Sequence, residues 1–363
     1  MFTSELQFGF KAKHSTTMCS MILKETLAYY SADGGTAFCT FLDARKAFDR
    51  VDYCKLFRVL LCREIPHTYV QLLLNLYTNS VAKINWNGVC SDSFRVVNGV
   101  KQGGILSPVL FCIYLDGLLV ALNDSKVGCH IGRIYVGALA YADDVTLLAP
   151  TPRAMRLQLL ICEQYSERFR IKFNAAKSAC MVVGRKARLC YTGLQFAING
   201  AVIAFVKEFT HLGHVISCTL DDRDDIVKKR NSFCGKINNV LCYFASCDPF
   251  VKIKLLRQYC YDLYGSQLWD LAHRSIDDVC IVWRKGLRRI WSLPYCTHSN
   301  LLPRICGLLP LYTEILCRTA FFIMKSLMSF NSTVAFVARN GVYGRKMMSP
   351  IGCNAFVCCS YFE

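Results

Sequence analysis

Two adjacent aspartates, Asp143 and Asp144, stand in the middle of an apolar run, with Ala138-Leu139-Ala140-Tyr141-Ala142 before them and Val145 to Ala149 after. An acid pair is out of place inside a buried strand. A hairpin with both at its tip resolves the conflict, because Asp tolerates the unusual dihedrals of tight turns. An ordinary solvated turn gives the same local pattern. Cost separates the two readings: like charges side by side between buried strands repel unless a cation offsets them.

A third carboxylate enters from far upstream. Thr36 to Leu42 (TAFCTFL) is a short, β-prone apolar run that reads as a buried strand, and Asp43 follows it directly. Taken alone, Asp43 is equally a strand-end cap. If that strand lies beside the hairpin, Asp43 reaches the tip and three carboxylates converge. Such a set suits two Mg2+ ions, with Mn2+ as a substitute, since hard cations prefer oxygen ligands and retain substrate phosphate and water. Two metals about 3.5–4 Å apart clamp the attacking and leaving oxygens of an in-line phosphoryl transfer.

Strands and helices alternate up to Asp221. Residues 15–30 read as an amphipathic helix behind a Ser/Thr cap, and further helices are expected over Lys55 to Cys62 and Thr68 to Asn79. Ala82 to Trp86 and Ser93 to Val97 read as two strands joined around Asn87-Gly88, a hairpin turn signal. Pro108 to Asn123 is a mostly apolar helix with Pro in its first turn. Pro152 to Phe169 is another helix, and Ala179 to Val183 and Gln195 to Ile198 are strands. Beyond Asp221 long basic helical stretches take over, at 224–243, 249–268 and 275–291. An α+β part followed by an all-α part is the fold class this order implies.

Charge narrows the partner. The 43 Lys and Arg oppose 26 Asp and Glu, for a formal net charge of +17. A chain so basic repels itself unless it meets a polyanion, and nucleic acid is the commonest one. A membrane surface is the competitor. No apolar stretch long enough to span a bilayer is free of charge: Ile105 to Leu122 contains Asp116, and Ile315 to Phe330 contains Arg318 and Lys325. No membrane partner is therefore expected. The 22 cysteines are scattered through apolar runs, and Met1 to Lys13 is polar and basic, without a secretory pattern. An intracellular, reducing setting, in nucleus and cytoplasm, follows, with cysteines acting as small buried hydrophobes.

Five segments in order, with a sixth at the opening of the chain, now resemble one family. Phe41-Leu42-Asp43-Ala44-Arg45-Lys46-Ala47-Phe48-Asp49 is similar to the first palm motif of reverse transcriptases, F-x-D-x-x-x-A-F-D. Asn98 to Pro108 (NGVKQGGILSP) resembles the second, Tyr141-Ala142-Asp143-Asp144 the third (the YxDD box), Asn174-Ala175-Ala176-Lys177-Ser178 the fourth. Phe209-Thr210-His211-Leu212-Gly213 resembles the primer-grip hairpin, and Gly9 to Thr16 the finger segment G-F-x-x-x-x-S-T. The likeness is to reverse transcriptases of non-LTR (LINE-type) retrotransposons and covers about residues 7–215.

The resemblance implies a right-hand polymerase: partial fingers over 1–36, a palm over 37–220 whose antiparallel sheet packs on helices, an all-α thumb over 221–330, and a tail of unknown role over 331–363. The implied activity is RNA-directed DNA polymerisation in retrotransposition, with an RNA template, a DNA primer and a dNTP. Asp43 and Asp143 are then the principal metal ligands and Asp144 the third carboxylate. Lys177 takes the place of a general acid toward the leaving pyrophosphate. Phe48 sits where the family keeps an aromatic ring that clashes with a 2′-hydroxyl. Gln102 and Gly103 approach nucleotide and template, and Lys11 and Lys13 the triphosphate. In the thumb, Lys228, Lys229, Arg230 and Lys236 face the duplex backbone, as do Arg284, Lys285, Arg288 and Arg289; Leu212 and Gly213 form the grip turn. For each of these basic residues a plain solvated face is the alternative.

The pattern also departs from the family. Relatives carry finger residues upstream of Gly9-Phe10, including a basic residue for the triphosphate, and many carry an endonuclease domain. Nothing in the 363 residues resembles either. A truncated, inactive element remnant that still binds nucleic acid is the alternative reading. His211, His214 and Cys218 have a metal-like composition but fall in the grip hairpin, so no zinc site is read there.

Overall fold

A computed structural model describes residues 3–32, 34–184, 193–344 and 349–362. They form two compact units. The first comprises Met1–Cys19, Asp33–Val206 and Asn331–Thr333, the second Ser20–Ala32, Lys207–Phe330 and Val334–Glu363. Helix α1 (Thr16–Ser31) passes from one to the other.

In chain order the first unit continues with β1 (Ala37–Leu42), α2 (Tyr53–Cys62), α3 (His67–Thr78), and the short strands β2 (Val81–Ala82), β3 (Asn85–Trp86), β4 (Val89–Cys90) and β5 (Phe94–Arg95). Then come α4 (Ser107–Asp124), β6 (His130–Ile131), β7 (Ile134–Tyr135), β8 (Ala138–Tyr141), β9 (Asp144–Ala149), α5 (Pro152–Phe169), β10 (Ala179–Val183), β11 (Phe196–Ile198) and β12 (Ala201–Phe205). Six strands make one sheet in the order β11-β12-β10-β1-β9-β8. Its middle strand, β1, is buried at every position, which is why its sequence is a continuous apolar run rather than an alternating one. The one hydroxyl in that run, on Thr40, lies 3.2 Å from Met155 Sδ and 3.1 Å from Cys180 Sγ.

Helices α4 and α5 pack against this sheet. Thr151 caps α5 by accepting from the Ala154 amide, Pro152 opens it, and Arg170 ends it in the left-handed region. By length and composition α4 is apolar enough to cross a membrane, but most of it is buried inside the unit. Its buried Asp116 accepts from Arg63 Nη2 at 2.6 Å and from the Ser4 amide at 2.6 Å.

One expectation needs correction. The Asn87-Gly88 turn forms, with φ of 49° and 84°, but it returns β3 onto β4, and β5 pairs with β2. A two-residue Asn-Gly turn fixes its ladder at once, so Asn85 faces Cys90, and 93–97 is left for the outer pair.

The second unit holds the hairpin β13 (Glu208–His211) and β14 (His214–Ser217), then α6 (Arg223–Tyr243), α7 (Pro249–Leu255), α8 (Ser275–Ile290), α9 (Leu301–Ile305) and α10 (Leu311–Leu327). Two more helices, α11 (Ser332–Tyr343) and α12 (Pro350–Phe362), occupy the stretch whose role the sequence left open. Helix α8 buries Ile276, Val279, Cys280, Trp283, Leu287 and Ile290, a three-four spacing that lays one apolar stripe on the core around Trp269 and Trp283. The stretch 249–268 is not one helix. After α7 comes a π turn at Leu256–Cys260, then a 3-10 turn at Ser266–Leu268 behind Gly265 (φ 79°). The chain leaves the helical path where two buried indoles need partners: Trp283 donates to Tyr261 Oη and Trp269 to Asp225 Oδ2, both at 2.7 Å.

Charged side chains also lie inside this unit. Lys24 Nζ meets Asp222 Oδ1 at 2.7 Å and donates to the Leu268 carbonyl at 2.6 Å. His214 stands 3.1 Å from Asp225 and 3.8 Å from Asp222. Asp222 also accepts from the Asp270 amide, and Asp225 from the Val215 amide. His211 Nδ1 lies 3.1 Å from Ser20 Oγ.

Glu25 caps α12, accepting from Ile351 N at 2.6 Å and Ser349 Oγ at 2.7 Å. Burial pushes its carboxyl up to about 7, against the opposing pull of those donors and of Lys24. A group with a raised folded-state pKa binds protons more tightly when folded. Between about 4.5 and about 7 the native state therefore holds more protons, and stability falls as pH rises through that window. The loss amounts to roughly 3 kcal/mol at most. Glu25→Gln keeps the acceptor and is expected to flatten this part of the profile, read from urea midpoints across the window. An unchanged slope would remove Glu25 as its source.

Candidate active site

Register places the acids. β1 and β9 run antiparallel with Leu42 opposite Val145, so Asp43, one residue on, comes level with Asp144. In the β8–β9 hairpin Tyr141 pairs with Asp144, which leaves Ala142 and Asp143 as a two-residue tip. The expected hairpin is thus present, but only Asp143 lies in its turn while Asp144 opens β9, and Ala142 adopts φ 57° to make it. Asp43, Asp143 and Asp144 sit at neighbouring strand ends.

Their electrostatics show the proximity. Burial pushes the Asp144 carboxyl up to about 6, with the charges of Asp143 and Asp43 adding to it. Asp143 is likewise raised, first by burial and then by Asp43, although its own amide holds it partly down. Among the described residues no Lys, Arg or His forms an ion pair with any of the three. Oxygen-only donors without a basic partner fit a hard divalent cation by chemistry. Among the described residues no three His, Cys, Asp or Glu side chains stand close enough together to hold a metal ion by themselves.

Two further segments are laced to this place by backbone. The Asn174 amide donates to the Asp43 carbonyl at 2.8 Å, the Asp43 amide to Ser178 Oγ at 3.2 Å, and Arg45 N to the Lys172 carbonyl at 2.7 Å. Lys177 therefore rides on a turn tied to Asp43, with its side chain exposed. On the other side, Val100 N donates to the Phe48 carbonyl and Gly99 N to that of Val51, both at 2.8 Å. The Phe48 ring stacks on Phe111 at 5.0 Å. Gln102 Nε2 donates to Asp49 Oδ1 at 2.9 Å, and Gly103 (φ 78°) lies exposed beside it. Phe48, Gln102 and Gly103 thus belong to one connected patch.

Other predicted residues are engaged elsewhere. Lys11 does not offer its ammonium to a triphosphate: Nζ donates to the carbonyls of Ser4 (2.7 Å) and Thr3 (3.3 Å), and burial lowers its pKa. In the second unit, Lys229 is buried and donates to the Gly213 carbonyl at 3.2 Å, with its charge 5.0 Å from the Tyr264 ring. It supports the Leu212-Gly213 turn instead of facing a duplex; Tyr264 Oη donates to the Leu212 carbonyl there at 2.9 Å. Lys236 pairs with Asp262 at 3.1 Å, Arg230 lies 3.9 Å from Asp278, and Arg288 donates to the Thr297 carbonyl and Ser299 Oγ. Arg284 is half-buried. Lys228, Lys285 and Arg289 are exposed, Arg289 donating to Asn238 Oδ1.

The sheet is antiparallel as expected except where β12 joins β10 in parallel. Carboxylates at the ends of its adjacent strands, helices packed on it and a helical unit after it define a polymerase palm and thumb. A family model described as reverse transcriptase (RNA-dependent DNA polymerase) matches residues 1–216, more than half of the chain. The chain belongs to the reverse transcriptase family, whose members depend on divalent metal. Among curated proteins it is 29% identical over 174 residues to the Retrovirus-related Pol polyprotein from type-2 retrotransposable element R2DM of Drosophila melanogaster, covering 48% of this chain and 16% of that one. It is 24% identical over 310 residues to the RNA-directed DNA polymerase from mobile element jockey of Drosophila funebris, covering 82% and 33%. The chain thus spans between about a sixth and a third of these relatives' length. A solved apo telomerase from Candida tropicalis aligns with a TM-score of 0.44 at 13% identity, over 93% of this chain and 57% of that one.

Proposed function

We propose that this chain is the polymerase part of a non-LTR retrotransposon reverse transcriptase, adding deoxynucleotides to a primer 3′-OH under the direction of an RNA template. The observation that carries this reading is the set of three uncompensated carboxylates at adjoining strand ends, with Asp144 pushed up to about 6 by its surroundings. Asp43, Asp143 and Asp144 would hold two Mg2+ ions. When bound, such ions neutralise charge on the triphosphate and on the attacking and leaving oxygens.

The chain's own residues supply position. Phe48, held by Phe111, presents a rigid ring toward the sugar and disfavours a 2′-hydroxyl. Gln102, fixed by Asp49, and Gly103, whose missing side chain lets the backbone come close, line the nucleotide's approach. Lys177, exposed on the turn tied to Asp43, would give a proton to the leaving pyrophosphate. Lys228, Lys285 and Arg289 are the exposed cations that would meet the duplex backbone.

Primer extension on an RNA homopolymer with Mg2+ tests the reading. The full chain is expected to incorporate the complementary deoxynucleotide, with little use of its ribonucleotide counterpart. Tight duplex binding without incorporation would instead favour the nucleic-acid-binding remnant.

A further inference from the structure

The six-stranded sheet ends on one side at β8, and residues 6–8 lie along that edge. Ala140 N donates to the Leu6 carbonyl at 2.9 Å and Phe8 N to the Ala140 carbonyl at 2.8 Å. Between them the Gln7 side chain is wholly buried. Its Oε1 accepts from the Ala142 amide at 2.9 Å and from the Gly9 amide at 2.8 Å, while Nε2 lies 3.4 Å from the Ala142 carbonyl. One carboxamide therefore engages both polar groups of Ala142, the residue immediately before Asp143. Ala142 has φ 57°, a left-handed conformation that residues with a Cβ rarely adopt unaided.

Gly9 closes the same contact from the next position. A Cβ there would stand 2.4 Å from Ala142 N, so nothing larger fits between the segment and the tip. A carboxamide carries a donor and an acceptor in one plane without needing a proton, whereas an apolar group of equal size engages neither side.

We propose that Gln7 is a positioning residue of the catalytic site. Its carboxamide holds the Ala142 peptide in its left-handed form and thereby sets where the Asp143 carboxylate stands. The proposal rests on the reading of Asp143 as a metal ligand, and the experiment separates the two.

Mn2+ binding to the full chain is measured by electron paramagnetic resonance without nucleotide, alongside rate per active site normalised by burst amplitude. Gln7→Met keeps the volume and removes both polar contacts. It is expected to weaken Mn2+ binding by roughly 10–100-fold, as for other lost supports of a ligand, and to lower the per-site rate by up to about 10²-fold. Primer–template affinity and burst amplitude per folded protein stay at parent values, which a general loss of structure would not allow. Gly9→Ala, pressing on the same peptide from its other side, should give the same signature. If Gln7→Met does not fold, Gln7→Asn, which withdraws the amide by one methylene, serves in its place. Parent-like Mn2+ affinity and per-site rate in the variant that folds would overturn the proposal. Absence of Mn2+ binding by the parent chain would overturn the metal-site reading itself.

Discussion

Asp143→Asn is expected to reduce incorporation by at least about 10³-fold while leaving duplex affinity intact. The substitution changes almost no volume and removes one negative charge from the hairpin tip. Asp143 makes no ion pair among the described residues, so nothing in the fold loses a partner. Its loss should even relax the unit, because the Asp143 charge adds to burial in raising Asp144, which should then titrate closer to an ordinary carboxylate. A polymerase that is dead yet melts no lower than its parent is the combined result that only a catalytic charge explains. Single-turnover incorporation, a duplex-binding titration and a melting curve make the check. Parent-level incorporation would end the assignment of the site.

Asp222→Ala should have the largest effect on stability, about 3–5 kcal/mol. Removing this carboxylate leaves Lys24 buried with only the Leu268 carbonyl, and deprives the Asp270 amide of its acceptor. His214, whose pKa Asp222 and Asp225 raise against its burial, loses one of the two carboxylates beside it. The carboxyl of Asp222 lies low, at about 2, because Lys24 and His214 outweigh its burial. By sign, its stabilisation is full above the ordinary carboxylate range and is lost only as pH falls through about 2. Lys24→Met combined with Asp222→Leu removes both charges and should recover most of the loss, since a buried pair is replaced by packed apolar groups. Urea unfolding of the single and double variants decides the matter: a single-variant loss under about 1 kcal/mol would show that water reaches the pair.

What could be read from the sequence followed from local rules. The strand before Asp43 and the two around the acid pair are short apolar runs bounded by charge or turn, and their register follows once they pair. The helix at 152–169 carries its Thr cap and Pro in the letters themselves. Long-range competition was not legible. The helical pattern of 249–268 breaks at Tyr261, which accepts from the Trp283 indole, a partner whose proximity no window along the chain can show. Lys229 reads as a cation facing a duplex backbone or solvent, and only the packed unit turns it inward. Gln7 lies in a polar opening segment and has no neighbour-derived signal, because its partner is 135 residues away.

The bridge from Gln7 to Ala140 also bears on solubility. Strand β8 would otherwise show a bare row of amides and carbonyls, the template on which foreign strands add and chains stack into aggregates. A copy of this protein starting after Gly9 would lack that cover, so its first failure should be clumping in the cell, before any question of catalysis arises.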